Sequence, residues 1–506
     1  MNSEIPAFIR AAYSADVFHD ASMIWQQKLA EHLRSVMASD RPVMKWQEPT
    51  TALLQAGRSL LAENSESTRT CKDDLTTEAL LQRFGDVMDQ ILSSGHNLHH
   101  PHYIGHQVPA SVPLAGLFDA IASVTNQVTG VFEIGPWATA VELSLIRMLG
   151  EKIGWRSDEC SGVLTHGGSL ANLTALLTAR NIAIPGCWES GVPQDAVLVA
   201  QSDAHYSVTR AAGILGLGSQ QVVRVDLDER RRMRPDCLDS VLVREKERGR
   251  RIIAVCACAC ATPIGAFDPL DEIADVCERH QVWLHVDAAH GGSLMMSDIH
   301  RHKLAGIHRA DSVVWDAHKM LFVPALCAAV LFRNRDVRYE TFRQIAPYLF
   351  DTSSSQMADF DTGMRTLECT KRANGFGLWG LWTMLGDQVF ESLVDQTIGI
   401  AGQLAELLRA APDFELLNDP ECNIVVFRHL PPFLNTAPAE EQDRFQNTIR
   451  SELMKSGRFY IVQTQLDGRV VLRAVIMNPM TTHVDLVELL NELRQCSANH
   501  LRERAR

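Results

Sequence analysis

Between residues 109 and 386, short apolar segments alternate with amphipathic segments of helical period. This alternation is typical of an α/β fold in which a mostly parallel sheet is joined by crossover helices. Strands are predicted at 196–200, 221–225, 252–259, 282–286, 312–315 and 325–332, with helices such as 170–184 and 269–280 between them. Ligands bind such sheets beyond the carboxyl ends of the strands, so the residues that follow the strands are the first candidates for a site.

The flanking regions have different patterns. Residues 1–110 are predicted to form a helical segment, with long helices at 15–37 and 76–92, and residues 111–386 form the large α/β domain. Residues 387–506 are predicted to form a small α+β domain, with helices at 398–410, 440–455 and 484–496 and strands at 423–427, 459–466 and 469–476. The last two strands are separated by Asp467 and Gly468, which favour a tight hairpin.

Composition excludes several classes of function. The 506 residues include 61 acidic and 48 basic side chains, so the net charge of -13 argues against nucleic acid as the main partner. The first residues lack a signal-peptide pattern, and no apolar run approaches the roughly 18 residues that span a bilayer. Twelve cysteines without CxxC pairs fit reduced thiols. We therefore expect a cytoplasmic protein.

Lys319 and Asp287 each follow a predicted apolar strand. One function of a lysine in this position is a Schiff base with an aldehyde cofactor, provided that an acid keeps the ring nitrogen of the cofactor protonated. Asp287 is the candidate acid, and a cap on the next turn is its structural alternative. One helix-and-strand unit separates the two residues, so we expect both to face one crevice.

Two further segments point to the same crevice. The stretch 162–172, GVLTHGGSLAN, precedes an apolar helix, and its glycines and serine could form a phosphate cradle, although a plain helix cap explains them equally well. His205 follows the strand at 196–200 and could lie flat against an aromatic cofactor. An ordinary histidine at a strand end is the alternative.

Three other patterns have simpler interpretations. Five histidines lie within 95–107, but their spacing is not that of a metal site, and we predict a polar loop beside a pocket and no metal. Cys256, Cys258 and Cys260 alternate on a strand and are predicted to be small buried thiols. The charge run at 229–232 is predicted to be a solvated surface.

Together these segments resemble the group II pyridoxal-phosphate-dependent amino acid decarboxylases, which include glutamate, aromatic amino acid and 2,4-diaminobutyrate decarboxylases. The resemblance covers about 101–482. It rests on THGGS at 165–169, SDAH at 202–205, GAFDP at 265–269, HVDA at 285–288, DAHK at 316–319 and LRAVIMNP at 472–479. HPHY at 100–103 and NPMTT at 478–482 are most similar to the bacterial L-2,4-diaminobutyrate branch.

The resemblance implies a fold type I enzyme with pyridoxal 5'-phosphate. It implies an intertwined homodimer with its site at the subunit boundary. The expected reaction is decarboxylation of a small polar L-amino acid, such as 2,4-diaminobutyrate, aspartate or glutamate, to the amine and CO2. Lys319 would carry the cofactor, Asp287 would pair with its ring nitrogen and His205 would stack on the ring. The other implied cofactor contacts are Gly168 and Ser169 at the phosphate, with Thr262, Ala289 and His318 nearby.

Arg473 would hold the substrate α-carboxylate, and Tyr103, His106 and Gln107 would line the substrate pocket. This sequence departs from the family pattern at 260–262, where Cys260-Ala261-Thr262 replaces the usual Gly-Thr-Thr and one hydroxyl is missing, and at His166, where serine or proline is commoner. It also has Gln356 near the position of a tyrosine that protonates the carbanion, in a serine-rich loop that we predict to be a lid. Glutamine is no acid at neutral pH, so oxidative deamination to an aldehyde is an alternative outcome. An inactive homologue that acts as a binding partner is a third.

Overall fold

The computed structural model describes residues 5–61, 76–342 and 359–504. These residues form two compact units. The first comprises Met1–Ile104, Asn447–Ile461 and Met480–Arg506, and the second comprises Gly105–Gln446 and Val462–Pro479. In the described part of the chain, no helix is long and apolar enough to cross a membrane.

The described helices and strands are numbered here in chain order. The α-helices are α1 (Ala7–Ala12), α2 (Ala15–Met37), α3 (Pro49–Leu61), α4 (Thr77–Ser94), α5 (Pro113–Val124), α6 (Pro136–Ile153), α7 (Gly168–Ala183), α8 (Cys187–Ser190), α9 (Tyr206–Ile214), α10 (Pro235–Glu247), α11 (Leu270–His280), α12 (Phe376–Leu385), α13 (Gln388–Ala410), α14 (Ala439–Ser456) and α15 (His483–Arg504). The strands are β1 (Val128–Thr129), β2 (Ser161–Thr165), β3 (Ala196–Gln201), β4 (Val222–Val225), β5 (Arg251–Cys258), β6 (Trp283–Asp287), β7 (Ser312–Asp316), β8 (Ala328–Phe332), β9 (Lys371–Arg372), β10 (Phe414–Leu416), β11 (Ile424–His429), β12 (Val462–Leu466) and β13 (Arg469–Val475).

In the first unit, helices α2 and α4 pack against each other. Ser14 and Thr76 cap them, because each side-chain oxygen accepts a backbone N–H in the first turn. Both predicted helices are present, and the bounds of α2 agree with the sequence pattern.

The second unit is built on a seven-stranded sheet with the order β2-β8-β7-β6-β5-β3-β4. The pairs from β4 to β7 are parallel, whereas β8 runs antiparallel to β7 and to β2. The predicted α/β fold with a mostly parallel sheet is confirmed. Since β2 and β7 both oppose β8, β2 runs parallel to β7, and its carboxyl end lies at the same edge as the ends of β3, β5, β6 and β7.

The structure differs from the sequence predictions at three places. Strand β2 was not predicted as a strand. The strand predicted at 325–332 begins only at Ala328, because the preceding Cys327 exchanges backbone and ring hydrogen bonds with His318 instead of pairing with a strand. The helix predicted at 398–410 begins ten residues earlier, at Gln388, since Phe390 and Val394 continue its buried face.

A smaller antiparallel sheet has the order β10-β11-β13-β12. The predicted hairpin between β12 and β13 is confirmed: Leu466 pairs with Arg469, and both Asp467 and Gly468 have positive φ. This sheet carries Arg473 in the middle of β13.

The charge run is less solvated than expected. The side chain of Arg231 is 19% exposed, and its guanidinium donates to Asp203 at 2.6 Å and to Asp467 at 2.8 Å. These two carboxylates raise the pKa of Arg231 above its usual value. Arg231 therefore ties the loop after β3 to the hairpin between β12 and β13.

Candidate active site

A cavity of about 280 Å³ lies at the carboxyl edge of the large sheet. Each of its main side chains follows a different strand, as expected for ligand sites in open α/β sheets. Its described lining includes eight residues that the sequence predicted: Gly168, Ser169, His205, Thr262, Asp287, Ala289, His318 and Lys319. The structure therefore brings together all the residues expected around the cofactor.

Lys319 lies in the turn after β7. Its Nζ is 3.1 Å from Asp316 Oδ2, and its side chain is 21% exposed, whereas Asp316 is almost completely buried. Nδ1 of the neighbouring His318 lies 2.9 Å from the carbonyl oxygen of Cys327, and its Nε2 lies 3.8 Å from the same Asp316 oxygen. Asp316 thus pairs with Lys319 and lies beside the ring of His318, near the start of α7.

Asp287 ends β6 and is 9% exposed. Its Oδ2 accepts a hydrogen bond from Asn172 Nδ2 at 2.9 Å, and its Oδ1 accepts the backbone N–H of Ala289 at 3.2 Å. These two donors fix the orientation of the buried carboxylate. Asp287 is therefore oriented towards the cavity and can accept a further donor there.

His205 precedes α9 and caps its first turn. Its Nδ1 accepts the backbone N–H of Ser207 at 3.3 Å and lies 2.8 Å from Ser207 Oγ. Because Nδ1 is an acceptor, the proton of the neutral ring is on Nε2. Burial lowers the pKa of His205, and the nearby Lys319 lowers it further, against the opposite effect of Asp287. The imidazole is thus a neutral ring in a fixed orientation.

The predicted phosphate cradle is the turn between β2 and α7. Helix α7 begins at Gly168, and both Gly168 and Ser169 line the cavity, so the start of the helix lies at the cavity wall, where backbone N–H groups commonly bind anions. A Cβ at Gly168 would lie 2.7 Å from Asp316 Oδ2, so only glycine allows this approach. Behind the turn, Glu142 accepts the N–H of Leu164 at 3.1 Å, and Lys371 donates to the Leu164 carbonyl.

Arg473 does not line the described part of the cavity wall. It is 5% exposed, and burial lowers the pKa of its guanidinium to about 10. Within the described residues, its Nε and Nη2 have no hydrogen-bond partner. Cys260 and Cys422 lie nearby with their sulfurs 3.2 Å apart, and Cys260 does line the cavity. Arg473 thus holds two buried donors that a ligand could satisfy.

The residues expected to recognise the substrate side chain are more dispersed. Tyr103 belongs to the first unit, where it is 2% exposed and stacks on Tyr460 at 5.7 Å. In the second unit, His106 is exposed, and the buried Gln107 Nε2 has no hydrogen-bond partner among the described residues. The described cavity lining includes neither of these two.

Two cavity residues were missed by sequence reasoning. Asn172 lies one turn into α7, on the same face as Gly168, and this spacing could have indicated it. His290 directly follows the turn after Asp287. Asn423 Nδ2 donates to the carbonyl of Ile476, so Asn423 Oδ1 accepts from His290 Nε2 at 2.7 Å. Within the described residues, His290 Nδ1 has no hydrogen-bond partner.

The positions at which this sequence departs from the family pattern lie in different surroundings. His166 Nδ1 lies 2.8 Å from Glu368 Oε1 at the cavity wall, so this histidine has its own carboxylate partner. Thr262 lines the cavity beside Cys260. Gln356 and the predicted serine-rich lid lie outside the described residues.

Residues 67–430 match the family model described as the pyridoxal-dependent decarboxylase conserved domain. The chain belongs to this family. It is 34% identical over 427 residues to the acidic amino acid decarboxylase GADL1 of Bos taurus, covering 82% of this chain and 80% of the relative. The family predicted from the sequence motifs is confirmed, and the protein is a pyridoxal-phosphate-dependent amino acid decarboxylase.

Solved structures agree with this assignment. The crystal structure of mouse CSAD is 30% identical, with a TM-score of 0.84 over 95% of this chain and 98% of that chain. The structure described as the glutamate decarboxylase domain of diaminobutyrate-pyruvate transaminase and L-2,4-diaminobutyrate decarboxylase from Vibrio parahaemolyticus has the same fold. Its TM-score is 0.79 at 24% identity, over 97% of this chain and 96% of that chain.

The residues of the cavity fit the family's cofactor. An amine, a buried carboxylate and a glycine-flanked helix start face one space of suitable size. An aldehyde, a ring nitrogen and a phosphate are the groups that these three features bind.

Proposed function

We propose that this enzyme decarboxylates a small polar L-amino acid to the corresponding amine and CO2, and that aspartate or glutamate is a better substrate than 2,4-diaminobutyrate. The charged residues of the cavity lining support this choice of substrate. Among the described lining residues, the carboxylates are Asp287 and Asp316, and each already has a partner or an assigned role. A diamino acid would need a further carboxylate for its second ammonium group. The 34% identity to an acidic amino acid decarboxylase supports the same choice.

The proposed cofactor roles are supported by the positions of these residues around one cavity. Lys319 would bind the aldehyde carbon, Asp287 would accept a hydrogen bond from the protonated ring nitrogen, and His205 would stack on the ring. Gly168 and Ser169 would donate to the phosphate, with Thr262, Ala289 and His318 nearby. Bound pyridoxal phosphate supplies the electron sink that makes loss of CO2 possible.

Two of the proposed substrate residues, Arg473 and Gln107, have buried side-chain donors without a hydrogen-bond partner among the described residues. Arg473 binds the α-carboxylate through Nε and Nη2, since a buried guanidinium without an acceptor is costly. Tyr103, His106 and Gln107 contact the substrate side chain.

We also propose that the enzyme is a cytoplasmic homodimer with the site at the subunit boundary. We further propose domain boundaries near residues 110 and 386, and limited proteolysis tests them.

The dimer is tested by mixing a Lys319→Ala chain with a chain inactivated at a residue proposed to lie at the subunit boundary, such as Tyr103. Partial recovery of activity in the mixture supports a shared site, and no recovery contradicts it.

The substrate proposal is tested with a panel of about twenty L-amino acids. Released CO2, the amine, the aldehyde and oxygen consumption are measured in air and under nitrogen. We expect amine and CO2 from aspartate or glutamate at equal rates in both atmospheres. A faster reaction with 2,4-diaminobutyrate would overturn the choice of substrate.

The same panel separates the alternatives raised by Gln356. Aldehyde and ammonia formed only in air would establish oxidative deamination. Absence of CO2 with every amino acid, for a protein that binds the cofactor, would establish an inactive homologue.

A further inference from the structure

A series of hydrogen bonds links Trp283, at the start of β6, to Asp287, at the end of the same strand and at the cavity wall. Trp283 Nε1 donates to Ser312 Oγ at 2.9 Å, and Ser312 Oγ lies 2.9 Å from His285 Nδ1. An indole N–H can only donate. The Ser312 hydroxyl therefore accepts from the tryptophan and donates its own proton to His285 Nδ1.

This first step fixes the tautomer of His285. With Nδ1 as acceptor, Nε2 carries the proton and donates to Asn172 Oδ1 at 2.9 Å. Burial lowers the pKa of His285 to about 4, so the ring stays neutral at the pH of most cytoplasmic enzymes. A cationic ring would carry a proton on Nδ1 and lose the bond from Ser312.

At Asn172 the series of hydrogen bonds divides into two branches. Its Nδ2 donates to Asp287 Oδ2 at 2.9 Å and to Ser207 Oγ at 2.9 Å. The orientation of the amide is determined from both ends. His285 supplies a donor on one side, and the carboxylate of Asp287 requires a donor on the other, so a flipped amide would place two acceptors together.

The second branch reaches His205. The Ser207 hydroxyl accepts from Asn172 and is therefore free to donate to His205 Nδ1 at 2.8 Å. Asn172, Ser207, His285 and Ser312 are each at most 1% exposed, so water does not compete for these bonds.

We propose that Asn172 is a positioning residue that sets two cofactor contacts at once, the carboxylate of Asp287 and the imidazole of His205. It donates to the Asp287 oxygen only because Trp283, Ser312 and His285 hold its own oxygen as an acceptor. The site is thereby built to select an aromatic ring whose nitrogen carries a proton. This inference rests on the proposed contact between Asp287 and the cofactor.

The test compares two probes in cofactor-free protein. The probes are pyridoxal phosphate and its 1-deaza analogue, in which a C–H group replaces the ring nitrogen. Equilibrium affinities of the wild type, Asn172→Leu and a control are measured by fluorescence. The control is Asn181→Leu, because Asn181 is also buried in α7, where its amide donates to a carbonyl outside the cavity.

We expect the wild type to bind pyridoxal phosphate at least tenfold more tightly than the analogue. Asn172→Leu should reduce this preference about tenfold, mainly because it weakens the binding of pyridoxal phosphate. Asn181→Leu should leave the preference unchanged even if it lowers stability. Equal weakening of both probes in Asn172→Leu would show a structural role only and overturn the proposal.

Ser312→Ala provides a second variant that keeps Asn172 in place. It removes the donor that fixes His285, so the preference should fall by a smaller factor. If Ser312→Ala keeps the wild-type ratio of the two affinities, the proposed direction of the hydrogen bonds from Ser312 to Asn172 is refuted. A wild type that binds both probes equally would instead contradict the proposed contact between Asp287 and the ring nitrogen, which separates that failure from a failure of the Asn172 inference.

Discussion

Lys371 Nζ lies 2.8 Å from each carboxylate oxygen of Glu142, and the two side chains are 1% and 3% exposed. The pair satisfies the outward-facing N–H and carbonyl of Leu164 on β2, which is the edge strand of the large sheet. An edge strand has no neighbour for these groups. The ion pair therefore replaces a missing strand immediately before the turn that forms the phosphate cradle.

Replacing Lys371 by Met should destabilise the protein strongly. It leaves the Glu142 carboxylate buried without a counter-charge, at a cost of about 3 to 5 kcal/mol. Urea unfolding of the cofactor-free protein measures the change. Lys152→Met is the control, since Lys152 and Asp387 are partly exposed at 31% and 53% and such pairs contribute at most about 1 kcal/mol. Equal losses in the two variants would contradict this role for the pair.

Replacing Gly168 by Ala should weaken the binding of pyridoxal phosphate about tenfold or more. The added methyl group would lie 2.7 Å from Asp316 Oδ2, and Asp316 cannot easily move because it holds Lys319. A cofactor titration of the apo-protein measures the effect. Gly213→Ala, where nothing lies within 4 Å of the new methyl group, should bind as the wild type does. Normal cofactor affinity in Gly168→Ala would show that the turn is not the cradle.

Stability should fall as the solution becomes acidic. Burial lowers the pKa of His285 to about 4 and that of His290 to about 3, whereas the unfolded chain has histidine pKa values of about 6.5. As the pH falls below 6.5, the unfolded state binds these protons first. At pH 5 each group should therefore have lost about 2 kcal/mol of the stabilisation that it provides at pH 7.5.

The variant His290→Asn measures how much His290 contributes to this pH dependence of stability. Unfolding free energies between pH 7.5 and 5 should depend less steeply on pH in this variant than in the wild type. Parallel slopes for this variant and the wild type would contradict a lowered pKa of His290 in the folded protein.

Replacing Arg473 by Met should raise KM about 30- to 150-fold with a much smaller change in kcat, because a charge-assisted hydrogen bond to the substrate carboxylate contributes about 2 to 3 kcal/mol. Arg473→Lys should recover part of the loss. Arg469 lies on the same strand but pairs with Asp443 near the surface, so Arg469→Met should behave as the wild type does. An unchanged KM in Arg473→Met would remove this residue from the substrate site.

Sequence periodicity was sufficient to place Lys319, Asp287 and His205 at one edge of the sheet. The strands that precede them are short, apolar and separated by helical segments, so their carboxyl ends must converge. The glycines at the start of α7, Gly167 and Gly168, indicated the fourth element of the site, the predicted phosphate cradle. These features depend on local sequence and on a general rule for parallel sheets.

Contacts between distant segments could not be predicted in this way. The bond between His285 and Asn172 joins β6 to α7 across 113 positions, and the pair of Glu142 and Lys371 spans 229. Arg231 was expected in solvent because its neighbours are charged, but its partners Asp203 and Asp467 come from two other loops. Side-chain pairing of this kind leaves no periodic signal in the sequence.

The covalent attachment site of the cofactor tests the central assignment most directly. The protein is reconstituted with pyridoxal phosphate, reduced with borohydride, digested and mapped by mass spectrometry. We expect one pyridoxyl group, on Lys319, and no stable label in Lys319→Ala. A label on another lysine, or none on a wild type that binds the cofactor, would contradict the assignment of Lys319.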